Sequence, residues 1–458
     1  MFRKQETIDL SQETKTLVCL YRKDNEIIKS LEKLLGVSFE EVTNEPFTNV
    51  FTLGKMNAKK VVVVREETLK DVKKSRSFYK ELTTNKEDVL LLLDTFETVD
   101  MTEVFTELKR ALYRFDTFKT KEAGESNTIS YFSETNFDEA IHNGTVIGEA
   151  INHARELVNT PYNYLNASIL ADYAKALESI DGVTVKVLEK DVCEQMNMGL
   201  YLGVNKGSKD APKLIHISYQ GKPDGKDKYA LVGKGVMYDT GGYSLKTPTS
   251  MPSMKMDMGG AATVLGIIEA VARLELRHNV DVIIAATDNR IGDDAIVPDD
   301  ILTSAKGLTV EIISTDAEGR LTLADALWYA QQEGATHLID IATLTGSIVG
   351  SLGKAYTGAF TNDKTFLDSL QNVTDKHSEP LWHMPISDEY RESLKSPSAD
   401  LKNKDGRLAG ASIAAAFLEN FVEPENKWIH LDIAGTSYNQ KDGATGILVK
   451  SITHYFMQ

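Results

Sequence analysis

With 458 residues, 42% apolar and 26% charged, the chain has the composition of an ordinary globular protein and more length than one core usually supports, so two domains are expected. A formal charge of -16 argues against nucleic acid and anionic membrane surfaces as main partners, since both require clustered Lys and Arg, and it favours cations. Only two cysteines occur, Cys19 and Cys193, too far apart to suggest a disulfide framework or a thiolate metal site. The first residues lack the apolar core of a signal peptide and no run of about 18 apolar residues occurs, so a cytoplasmic location is expected.

In chain order, residues 16–21, 47–53, 60–65, 88–94 and 128–132 read as strands, with helical spacing over 68–81 and 102–115. That alternation predicts a small amino-terminal α/β domain, residues 1–137, with a largely parallel sheet. No phosphate loop, histidine pair or acid cluster occurs in it, which points to scaffolding or assembly. Residues 138–158 read as one long helix with an apolar stripe through Ala140, Ile147, Ala150, Ile151 and Ala154, and residues 138–160 are taken as the connection between the halves. From 161 to 458 a larger, catalytic α/β domain with a mixed, mostly parallel central sheet is expected. Its strands are predicted at 183–188, 214–219, 229–233, 280–287 and 337–343, with helices at 167–180, 261–276 and 321–332. In doubly wound sheets the working groups gather at the carboxyl ends of strands.

Three strand ends carry charge. After the 229–233 strand comes a glycine-rich block holding Lys234, Asp239 and Lys246; its spacing is not that of a P-loop, and Asp239 would repel phosphate. Asp257 stands just before Gly259-Gly260 and a long apolar run, a position more often occupied by a helix cap than by a ligand. In Ser314-Thr315-Asp316-Ala317-Glu318-Gly319-Arg320-Leu321 two acids and a guanidinium alternate, so an extended backbone would put Asp316, Glu318 and Arg320 on one side. Acids held that close raise each other's pKa unless a cation lies between them. Four carboxylates at turns in one half of the chain, with nine scattered histidines, suit hard or borderline divalent ions, including ion pairs bridged by shared acids, better than a histidine-based zinc site.

The Asp-Ala-Glu-Gly-Arg-Leu core, with the blocks around Lys234 to Lys246 and Asp257-Met-Gly-Gly-Ala-Ala, resembles the leucyl (cytosol) aminopeptidase family of dinuclear metallopeptidases. The likeness spans roughly residues 145–458, including the segments 340–346 and 430–435. It implies a homohexamer and hydrolysis of the amino-terminal residue from peptides or amino-acid amides. Two divalent ions per subunit are implied, Zn or Mn first and Mg or Co as alternatives. Asp239 and Glu318 would bridge them, Lys234 and Asp257 would complete one site, and Asp316 would complete the other. Lys246 would stabilise the scissile carbonyl and gem-diolate, and Arg320 would hold a bicarbonate base. Met254, Thr343, Leu344, Gly346 and Ala434 match substrate-binding positions.

Departures from the family pattern, Tyr238, Thr240, Ser314, Ser437 and the loop containing Asp293 and Asp294, remove no ligand but unsettle a leucine preference. The acidic loop would bias the site toward basic or polar side chains. Two other function classes compete. A two-metal phosphoesterase also favours paired acids, and a non-catalytic, DNA-architectural hexamer would need a local basic patch that the net charge disfavours.

Overall fold

A computed structural model describes residues 2–42, 45–84, 87–120 and 127–458. The chain divides into two compact units, Met1–Glu149 and Ala150–Gln458, and the division falls inside one long helix, Asp138–Asn159.

The first unit is built on β1 (Arg3–Lys4), β2 (Thr16–Leu20), β3 (Phe47–Phe51), β4 (Lys60–Val64), β5 (Val89–Leu92) and β6 (Ile129–Phe132), in the order β1-β6-β5-β2-β4-β3. All pairings are parallel except that of β3 with β4. Runs such as Val61-Val-Val-Val64 and Val89-Leu-Leu-Leu92 are what a parallel sheet covered on both faces demands, and alternate residues do enter two separate apolar clusters. The helix expected over 68–81 is two helices, Glu66–Lys70 and Val72–Thr84. Asp71 divides them: its backbone is extended, and its carboxylate accepts the amides of Lys73 and Lys74, each at 3.0 Å.

The second unit contains β7 (Val183–Leu188), β8 (Lys213–Gln220), β9 (Lys228–Asp239), β10 (Asn279–Asn289), β11 (Ile301–Thr303), β12 (Thr309–Glu311), β13 (His337–Ala342), β14 (Thr357–Thr361), β15 (Leu381–His383), β16 (Leu401–Lys402) and β17 (Lys427–Asp432). Eight of these form one mixed sheet, ordered β15-β14-β17-β13-β9-β10-β8-β7, whose centre β17-β13-β9-β10 is parallel. Helix Gly259–Arg273 packs on β9 and β13 from one face, together with helix Val449–Phe456. Helix Gly319–Gln332 packs on β9, β10 and β13 beside helix Gly410–Glu419 and contributes to the cluster that includes Phe360, Phe417 and Trp428.

Sequence periodicity stops the central strand at Gly233, yet β9 runs on to Asp239. A side chain at Gly233 would stand 2.7 Å from Ala261 Cα, so the missing Cβ lets helix Gly259–Arg273 lie against the strand instead of ending it. Lys234 is thereby a mid-strand residue, and Asp239 marks the carboxyl end.

Candidate metal centre

β9 supplies Lys234 and Asp239, and the turn after it supplies Lys246. Gly241, at φ 84°, reverses the chain there in a conformation that L side chains rarely adopt. Asp239 Oδ1 accepts the Gly241 amide at 2.8 Å and Asn289 Nδ2, from the end of β10, at 2.9 Å. Its other oxygen lies 2.7 Å from Lys246 Nζ, which is also 2.6 Å from Asp316 Oδ1.

Asp257 lies in the short turn Met254–Met258 and caps nothing, because no side chain bonds the amino end of helix Gly259–Arg273. Instead Thr343 Oγ1, just past β13, donates to Asp257 Oδ1 at 2.8 Å, and Lys234 Nζ lies 2.6 Å from Oδ2. Lys234 Nζ is also 3.0 Å from Glu318 Oε1 and donates to the Thr343 carbonyl at 3.1 Å.

The Ser314–Arg320 segment is not extended. Ala317 N bonds Ser314 O, and Glu318 already has helical backbone angles, so Arg320 belongs to the first turn of helix Gly319–Gln332. A turn brings the groups together more closely than a strand would: oxygens of Asp239, Asp316 and Glu318 all lie within 4.8 Å of one another. Gly319 is required for this packing, since a Cβ there would stand 2.7 Å from Lys234 Nζ.

The electrostatics follow from burial and from these pairings. Burial and the Glu318 charge push Asp239 up to about 6, against the pull of Lys246 and Lys234. Burial likewise raises Asp257 well above the usual carboxylate range and raises Asp316. Burial opposes ionisation of Glu318 as well, yet Lys234 and Lys246 hold its pKa below the ordinary value. Both lysines are raised despite burial, Lys234 chiefly by Asp257 and Lys246 chiefly by Asp239. Burial lowers Arg320 to about 10, and Glu318 pulls the other way.

Four carboxylates thus face two lysines, and some polar atoms stay bare. Glu318 Oε2 and Arg320 Nε are buried with no hydrogen-bond partner among the described residues. An oxygen-rich donor set with one amine, an excess of acid and an unsatisfied buried carboxylate oxygen fits divalent cations of the hard or borderline kind. The unpartnered Arg320 Nε, whose Nη1 is committed to the Asn403 carbonyl at 2.8 Å, fits a small anion.

All seven of these charged residues line one cleft of about 480 Å³ at the carboxyl ends of β9 and β13, and so do Met254, Thr343, Leu344, Gly346 and Ala434. None of Tyr238, Thr240, Ser314, Ser437, Asp293 or Asp294 lines it, so the acidic loop expected to bias the pocket does not border it; Tyr243 Oη holds that loop at the Gly292 carbonyl, 3.2 Å away. The side chains that sequence reasoning missed are Lys404 and Arg407, which line the same cleft from the segment after β16. Their signal was the charged run Lys402-Asn-Lys-Asp-Gly-Arg407 directly before the apolar helix Gly410–Glu419. Residues 152–453 match the sequence model described as the cytosol aminopeptidase family, catalytic domain.

Proposed function

The chain belongs to the cytosol aminopeptidase family and is a metal-dependent exopeptidase, and from that premise we propose that this cleft removes the amino-terminal residue of peptides and amino-acid amides with two divalent ions. Asp239 and Glu318 would bridge the ions, Lys234 and Asp257 would complete one site, and Asp316 would complete the other. When bound, the ions would supply an activated water and polarise the peptide carbonyl. The observation that carries this reading is the buried, unpartnered Glu318 Oε2 opening on a cleft that also holds Lys234, Lys246, Asp239, Asp257 and Asp316.

The chain's own groups divide the work. Lys246, raised and therefore cationic at neutral pH, stabilises negative charge that develops on the carbonyl oxygen only as the bond is attacked, the kind of contact that raises turnover. Arg320, through its unpartnered Nε, would hold a bicarbonate, which would supply a proton acceptor. Lys234 as an ammonium neutralises Asp257 and Glu318, whereas as a ligand it must be the neutral amine, so taking up the ion releases its proton. Met254, Thr343, Leu344, Gly346 and Ala434 would seat the amino-terminal residue.

Release of ammonia or an amine from a panel of amino-acid amides, run beside metal analysis, tests the reading. Retained turnover in both Glu318→Gln and Asp257→Asn would sink it. Zn and Mn are the ions to try first, and phosphate esters belong in the same panel, since their hydrolysis in place of amides would move the site to phosphoester chemistry. A cytoplasmic homohexamer completes the proposal; the mass of the purified protein in solution checks the assembly.

A further inference from the structure

Two groups of charged side chains line the cleft. Its floor carries Asp239, Asp257, Asp316 and Glu318, and the two lysines there are already engaged by those acids at 2.6 to 3.0 Å. Lys404 and Arg407, which line the cleft from the segment after β16, make no ion pair or side-chain hydrogen bond among the described residues. The only acid between them, Asp405, is turned to Lys402 at 2.7 Å. Two unmatched cations therefore border the same cleft as the acids.

Their place is fixed by a buried tether. Asn403, fully buried, donates from Nδ2 to the Ser314 carbonyl at 2.7 Å and accepts the Ile313 amide at 2.8 Å on Oδ1. Its own carbonyl accepts Arg320 Nη1 at 2.8 Å. The residue just before Lys404 is thus hydrogen-bonded to both ends of the acid-bearing turn, so the cationic segment is anchored to the catalytic floor and does not hang as a free loop. Lys404 is half-buried and Arg407 exposed, the arrangement of a rim that meets a ligand from solvent. Arg and Lys placed without partners beside a concave site are recognition elements for carboxylate or phosphate.

Taking the aminopeptidase reading as its premise, we infer that Lys404 and Arg407 bind a carboxylate on the leaving-group side of the substrate, so that the enzyme favours short peptides whose second residue bears a free carboxylate. The amino end of such a substrate would be held at the metal-bearing floor and its carboxylate end at the unpaired Lys404 and Arg407. A cleft of about 480 Å³ is within the size range that encloses a small ligand, roughly 300–1,000 Å³, so both ends of a dipeptide come under the influence of its walls. The carboxylate can come from the chain terminus of a dipeptide or from an acidic side chain at the second position, and the two sources are separable.

The experiment measures kcat/KM for Leu-Gly, Leu-Gly-amide and Leu-Glu-amide with the metal-loaded, full-length enzyme and with a Lys404→Gln, Arg407→Gln double variant. The ratio of acid to amide does not depend on how much protein is correctly folded, which keeps it informative if the double variant is obtained in poor yield. In the wild type the two carboxylate-bearing substrates exceed Leu-Gly-amide by about tenfold, the size of one charge-assisted hydrogen bond, and in the double variant the ratios fall toward one. Preference for Leu-Gly alone assigns the rim to the chain terminus, and preference for Leu-Glu-amide alone assigns it to the side chain; either supports the inference. A wild-type ratio near one, or ratios unmoved by the double substitution, overturns it while leaving the aminopeptidase reading intact, because Leu-Gly-amide is still cleaved. Failure of the wild type to cleave any of the three overturns both.

Discussion

Glu318 and Asp325 stand one at the mouth and one in the body of the same helix, both with buried carboxylates, and they do opposite things. Asp325 accepts the Tyr201 amide at 2.9 Å on one oxygen and the Ala305 amide at 2.8 Å on the other. Even with these bonds, burial pushes it up to about 7. Glu318 is as deeply buried, but Lys234 and Lys246 hold it ionised, and its Oε2 has no donor among the described residues. Depth alone therefore does not decide what a buried acid is for. Asp325 ties the helix to its neighbours with every oxygen satisfied, whereas Glu318 keeps a charge and a bare oxygen pointed at a cleft, the condition of a ligand.

The largest expected effect tests that contrast at its functional pole. Glu318→Gln lowers turnover of an amino-acid amide by about a thousandfold, while the variant still folds, with a lower thermal midpoint because Lys234 and Lys246 lose a buried partner. Unfolding of this variant in place of inactivation would make Glu318 a structural acid and dissolve the distinction. At the structural pole, Asp325→Ala strands two buried amides and costs about 2–4 kcal/mol in urea unfolding, with turnover per folded molecule changed less than twofold. A drop in specific activity matching Glu318→Gln would show that the two acids are not separate in role.

A smaller effect probes how closely the two pieces are packed. In Gly319→Ala the new methyl would meet Lys234 Cε at 2.5 Å, Nζ at 2.7 Å and Cδ at 2.9 Å, so the outer half of that side chain has to move. About tenfold weaker metal affinity is expected, read by metal titration, with near-normal stability; unchanged affinity would argue that Lys234 does not hold an ion. The smallest effect concerns protonation. Asp325 has its folded pKa raised from 3.8 to about 7, so the stability it contributes is complete below about 3.8 and is lost as pH rises through about 7. Comparing wild type with Asp325→Asn across one pH unit near 6, the stability difference should shift by at most about 1.4 kcal/mol, the wild type losing ground as pH rises. A shift of opposite sign would mean that the amides of Tyr201 and Ala305 outweigh burial.

Much of this site could be read before any coordinates, and the parts that could not have physical reasons. Asp316, Glu318 and Arg320 were legible because three charges within five residues before an apolar helix are rare, but the backbone that presents them was misjudged. Alternation suggested a strand, and the Ala317-to-Ser314 hydrogen bond makes a turn. The bend at Asp71 was missed for the converse reason: helical spacing of apolar residues continues across it, and only a capping carboxylate marks the break. β14 and β15 were not foreseen at all, being short strands beside longer, more apolar neighbours.

What the sequence by itself determined is the chemistry available and the α/β layering: which acids, which lysines, and the alternation of apolar runs that buries a parallel sheet under helices. Only the tertiary structure decided which charges are spent on one another. Whether Asp257 caps a helix or meets Lys234, whether Asp293 and Asp294 or Lys404 and Arg407 border the cleft, and whether a buried carboxylate is satisfied all depend on contacts between segments tens to hundreds of residues apart. Periodicity reports only neighbours along the chain, whereas pairing and desolvation, which set the charge state of a buried group, are made across it.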